Sequence, residues 1–135
     1  MFDGIDMDFD QEVLKFSDSA SRLPKREAIA IFARWRERFP HLERSAFNGR
    51  CERGPKALQA IAAKTPTEFH AFFEYLHQKI PTTYRCAGLR TDALPLENRD
   101  LAIVDLQAEW TIVFDHEDGW LTDGPYYYEV AGLSQ

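Results

Sequence analysis

Trp110-Thr111-Ile112-Val113-Phe114-Asp115-His116-Glu117-Asp118-Gly119-Trp120-Leu121-Thr122-Asp123-Gly124-Pro125-Tyr126-Tyr127-Tyr128-Glu129-Val130 carries two β-branched and aromatic runs on either side of turn-forming residues. Glu109 to Asp115 and Tyr126 to Val130 have strand composition, while the Asp-Gly and Gly-Pro steps between them punctuate the chain. An antiparallel hairpin with a loop longer than the two-residue minimum follows. Side chains alternate across paired strands, so Tyr126 and Tyr128 share one face and Tyr127 and Glu129 the other. One face is expected to pack on the core. Either Tyr127 or the Tyr126/Tyr128 pair is then left toward solvent.

Upstream of the hairpin the spacing is helical. Pro24 suits a first helical residue because its missing N–H costs nothing there. Ala28, Ile31, Phe32, Trp35 and Phe39 then recur on one face until Pro40. Asp10 to Ser17 can form a short turn or helix. Asn48-Gly49 and Gly54-Pro55 signal turns, and the Ala-rich run Lys56 to Lys64 predicts a helix. Thr65-Pro66-Thr67-Glu68 has the pattern of a capping box, ahead of a stripe of Phe69, Phe72, Phe73, Leu76 and Ile80 that predicts a further helix ending at Pro81. Beyond it, Thr82 to Arg85 reads as a short edge strand, Thr91 to Arg99 as a loop, and Leu101 to Leu106 as strand or helix. The expected fold class is α+β: N-terminal amphipathic helices packed on a small C-terminal antiparallel sheet containing the long-looped hairpin. At 135 residues the chain fits one domain, 1–135, with 1–10 as a loose acidic segment.

Charge lies in blocks. Residues 1–12 hold five acids and no base, residues 22–56 ten bases against four acids, and residues 91–135 ten acids against one cation, Arg99. The net charge of −6 argues against generic binding to phosphate backbones or anionic lipid, which need clustered cations. No apolar run has the length to span a bilayer, and the first ten residues lack the features of a secretory signal, so the expected location is the cytoplasm. Cys51 and Cys86 have no metal-binding or disulfide-framework spacing and read as two reduced, partly buried thiols.

Three constellations bear on chemistry. His70, Glu74 and His77 would lie along one flank of the predicted 69–80 helix with the Glu-x-x-His spacing of bundle metal sites. A second Glu-x-x-His copy is lacking, so solvent-facing side chains beside a core stripe are the better reading. Asp115-His116-Glu117-Asp118 sits at the hairpin loop, where His116 could serve as a base oriented by Asp115 or Glu117. GxSxG, HExxH, P-loop and GxGxxG signatures are absent, which favours a solvated acidic loop over catalysis. The third set is aromatic: Trp110, Phe114, Trp120 and Tyr126 to Tyr128. Rings of this kind beside carboxylates suit a protein contact surface.

The run Trp110 to Glu117, followed by Gly124-Pro125-Tyr126-Tyr127, resembles the C-terminal pattern of a small bacterial family catalogued as domain of unknown function 4275. That resemblance covers roughly the last quarter of the chain and implies no activity. In size, acidity and missing catalytic motifs the chain also resembles bacterial immunity proteins. The expected function is therefore a non-enzymatic binding module that occludes a protein partner, a toxin with a basic surface, without a cofactor. Asp115, Glu117, Asp118, Trp120, Asp123 and Tyr127 are the expected contact residues. The alternative is a small hydrolase or transferase using His116. A third reading, a nucleic-acid-binding regulator using Arg22, Arg26, Arg34 and Arg38, runs against the overall acidity.

Overall fold

In the computed structural model the described residues are 3–39, 49–64, 67–75, 79–94, 96, 99–116 and 124–131. They form helices α1 (Asp3–Phe16), α2 (Lys25–Arg38) and α3 (Pro55–Lys64). The strands are β1 (Ser17–Arg22), β2 (Gly49–Arg53), β3 (Glu68–Phe73), β4 (Thr82–Leu89), β5 (Leu101–Asp105), β6 (Trp110–Phe114) and β7 (Tyr126–Val130). All seven belong to one antiparallel sheet in the order β1-β4-β3-β5-β6-β7-β2. The class is α+β with an antiparallel sheet, but the sheet is neither small nor confined to the C-terminal part, because its strands begin at Ser17.

Both faces of the sheet are covered, in three layers. α1 buries Phe9, Val13 and Phe16 at helical spacing, and α3 contributes Ile61 together with Ala57 and Ala60, whose small side chains allow close approach. These pack on Phe69, Phe73, Ile103, Ile112 and Tyr127, with the Phe9 and Phe73 rings stacked at 4.8 Å. The opposite face is held by α2. Its predicted stripe is the buried one: Trp35 and Phe39 are fully enclosed, Ile31 and Phe32 pack beside them, and all meet Phe72, Val104, Val113 and Tyr128. Pro24 stands one residue earlier than expected, at the N-cap, where its carbonyl accepts the Ala28 N–H at 3.0 Å. Each large apolar side chain so buried is worth roughly 1.5–3 kcal/mol against exposure, so α2 is fastened mainly by this stripe.

The predicted 69–80 helix is not formed: residues 68–73 are strand β3. The spacing of Phe69, Phe72 and Phe73 fits a helical face, yet it fits equally a strand buried on both sides, with Phe69, Ala71 and Phe73 toward α1 and Phe72 toward α2. The tertiary fold selects the second solution, because β3 hydrogen-bonds to β4 and β5 and satisfies its backbone on both edges. Glu74 then turns the chain away at φ 60. Of the remainder of that expected helix, 76–78 lie outside the described residues.

Thr82 to Leu89 is longer than predicted and is an interior strand between β1 and β3, not an edge. Gly88 on it, at φ 77, has no room for a side chain: an added Cβ would lie 2.8 Å from the Cβ of Asp18. Leu101–Asp105 is strand β5, paired with β6, and the β6–β7 hairpin forms as predicted with Ile112 opposite Tyr127. The true edges, β1 and β2, are polar segments that sequence periodicity does not mark. The backbone of residues 3–10, expected as a loose segment, makes the first turns of α1. Among the described residues no helix is long and apolar enough to cross a membrane.

Candidate functional site

β5 and β6 are the central strands, and every residue on them is buried. The end of the sheet where β5 begins and β6 finishes brings together groups far apart in the chain. Leu101 pairs with Phe114, so Asp100 and Asp115, one step beyond, approach each other. Asp100 is 2% exposed, and its Oδ1 accepts the backbone N–H of His116 at 2.9 Å and lies 3.0 Å from the ring Nδ1. Ligating atoms of Asp100, Asp115 and His116 all lie within 4.8 Å of one another. Two carboxylates and an imidazole are hard and borderline donors of the kind divalent cations take, although here Nδ1 and Asp100 Oδ1 are engaged with each other.

Asp100 is thus a partner of His116 that the sequence alternatives, Asp115 and Glu117, did not include; Glu117 lies outside the described residues. With Nδ1–H donated to Asp100, Nε2 is the acceptor on an exposed ring, the arrangement an oriented base would need. Nucleophilic chemistry also requires an activated hydroxyl or thiol. Among the described residues the Thr111, Thr83 and Tyr75 hydroxyls donate to the backbone carbonyls of Ile103, Pro81 and Phe114, and those of Tyr84 and Tyr127 to the Asp10 and Glu129 carboxylates. Burial pushes the Cys86 thiol up to about 12, so it is no nucleophile near neutrality.

Around this end the acids are tied into the fold. Arg99 holds Glu12 in a bidentate pair at 2.8 and 3.0 Å, reaches Glu74 at 3.9 Å and lies over the Phe9 ring. The one cation of the acidic third therefore fastens α1 to the sheet. Asp100 also accepts, through its carbonyl, the N–H of Glu74 at 2.7 Å.

Several sequence expectations are corrected here. Tyr127 is fully buried against α1 and α3, stacked on Trp110 at 6.4 Å and donating its hydroxyl to Glu129 at 2.8 Å, so it is not a surface contact residue. Tyr128 is equally enclosed on the α2 face and Tyr126 half-buried; the hairpin is sandwiched, not packed on one side. His70 and Glu74 do not converge. Extended chain separates them by roughly 13 Å along the strand direction, and His77 lies outside the described residues. Asp115 is half-buried at the proposed surface, whereas Glu117, Asp118, Trp120 and Asp123 lie outside the described residues.

The arginine row of the nucleic-acid reading is partly spent on the fold. Arg22 is fixed by Asp10 and Tyr84, Arg34 donates to the Gln107 carbonyl and Arg38 to that of Ala108. Cys51 is exposed and Cys86 buried, in place of two similar half-buried thiols. Asp100 is the residue of this candidate site that sequence reasoning missed. Only the β5–β6 register brings it to His116, and no local pattern carries that register. Comparison of the chain with protein-family models, with curated proteins and with solved structures gives no match.

Proposed function

We propose that the protein is a non-enzymatic binding module of the immunity type, which occludes a basic protein partner, a toxin, with the acidic segment joining β6 to β7. The observation that carries this reading is the mounting of that segment. It leaves from Asp115 and His116, braced by the buried Asp100, and the chain re-enters the sheet at β7, so the stretch of sequence containing Glu117, Asp118, Trp120 and Asp123 connects two paired strands. Carboxylates there would speed encounter with a basic surface, and Trp120 would supply desolvated contact area.

The test is affinity capture from the native host followed by the double reversal Glu117→Lys/Asp118→Lys. One stoichiometric protein, lost on reversal while the unfolding midpoint is retained, is the expected result. Retention of that protein by the reversed variant would sink this surface. The oriented His116–Asp100 pair favours one second reading, a small hydrolase or transferase with His116 as base. In that case His116→Ala abolishes a turnover that the double reversal leaves intact.

A further inference from the structure

A second concave site lies between α2 and the sheet, beside the far end of β5 from Asp100. The cleft has a volume of about 190 Å³ and an apolar wall of Ile31, Trp35, Val104 and Leu106. Three residues with polar side chains line it, Arg34 from α2, His70 from β3 and Asp105 at the end of β5. Asp105 pairs with Phe69 and so belongs to the opposite face of the sheet, where its carboxylate accepts the N–H groups of Glu109 and Trp110 at 2.7 and 3.0 Å.

Arg34 and His70 are the unusual part. His70 stands opposite Arg85 and Val104, half-buried, and among the described residues its ring has no hydrogen-bond partner. Burial first, and the Arg85 charge second, lower its pKa against a smaller opposing effect of the Asp105 charge, so the imidazole is neutral near pH 7 and offers one N–H. Arg34 donates one N–H to the Gln107 carbonyl at 3.0 Å and makes no ion pair among the described residues. Its planar fork thus retains donors matched to a carboxylate.

Size and charge define an occupant. A dry cavity of about 150 Å³ accepts a benzene ring, so 190 Å³ leaves room for a ring and a small substituent. One guanidinium with no ion pair among the described residues, beside a neutral imidazole and with the Asp105 carboxylate turned to the Glu109 and Trp110 N–H groups, matches a monoanion, while a phosphate dianion would want more cations than line the cleft. We propose that this cleft binds a small aromatic carboxylate, its ring against Ile31, Trp35 and Val104 and its carboxylate on Arg34 and the His70 N–H. None of its lining residues belongs to the segment joining β6 to β7, so the proposal does not rest on a partner bound there.

Benzoate is the probe, titrated into the full chain while the Trp35 indole N–H resonance is followed by NMR. Saturable movement is expected, with binding weakened about tenfold or more by Arg34→Gln and several-fold by His70→Ala. Benzyl alcohol, with the same ring and no charge, should bind the wild type at least about tenfold more weakly. No saturable shift at up to about 20 mM benzoate would overturn the proposal. So would equal binding of benzyl alcohol, or unchanged affinity in a folded Arg34→Gln protein. The alcohol comparison needs no variant, so it decides the matter even if a substitution disturbs folding.

Discussion

Trp35 donates its indole N–H to Thr111 Oγ1 at 2.9 Å, and Thr111 passes its own hydroxyl hydrogen to the Ile103 carbonyl at 2.7 Å. This buried chain joins α2 to the two central strands, and Phe72 and Tyr75 meet the Trp35 ring edge-on at 5.1 and 5.6 Å. Thr111→Val keeps the shape and removes the hydroxyl. It strands the indole N–H in an apolar setting, so a loss of about 1–3 kcal/mol in denaturant unfolding is expected. Thr111→Ser should recover part of it. A Thr111→Val protein as stable as wild type would show that the relay contributes nothing net.

Glu129 offers a pH test. Its carboxylate accepts from Tyr127 at 2.8 Å and lies 3.3 Å from Lys64 Nζ and 3.5 Å from Arg50. Burial alone would raise its pKa, but the Tyr127 hydrogen bond and the Lys64 and Arg50 charges outweigh it and hold the group below 4.5. A depressed folded pKa gives stability that is complete above the unfolded value and disappears as pH falls through the folded one. Glu129→Gln should therefore cost on the order of 1 kcal/mol at pH 7, and the gap to wild type should close below pH ~4. A gap that stays constant from pH 7 to pH 3 would contradict the assignment.

The two thiols should separate kinetically. Cys51 is exposed on β2, whereas Cys86 is enclosed on β4 with its pKa pushed up to about 12 by burial, against a smaller opposing hydrogen bond from Ser17. At pH 8 one thiol per native chain should react with iodoacetamide within minutes, the second only on denaturation. Peptide mapping that finds Cys86 alkylated in the native protein would show that β4 opens locally.

The elements legible in the sequence were those whose pattern admits one reading. The α2 stripe of Ala28, Ile31, Phe32, Trp35 and Phe39 has a polar face opposite, so only a helix buries it, and the β6–β7 hairpin is marked by composition and turn residues alike. The Phe69–Phe73 run was ambiguous because a short apolar segment buried on both sides loses its period. Which way it goes depends on β4 and β5, lying nine and more residues downstream. Edge strands β1 and β2 escaped because Ser-Asp-Ser-Ala-Ser-Arg and Gly-Arg-Cys-Glu-Arg bury too little to alternate. At the site, His116 was visible as a residue and Asp100 as its partner was not, since sixteen positions of chain close across the sheet.

The return of the chain to a neighbouring strand after residue 123 has an evolutionary reading. Val113 and Tyr126 are paired across the β6–β7 ladder, so the sheet fixes the two ends of the intervening segment whatever its sequence. Lengthening such a connection costs little, about 0.6 kcal/mol for each doubling. In the proposed role, exchanging residues 117–123 as a cassette would change what is recognised at almost no expense to the platform that displays it.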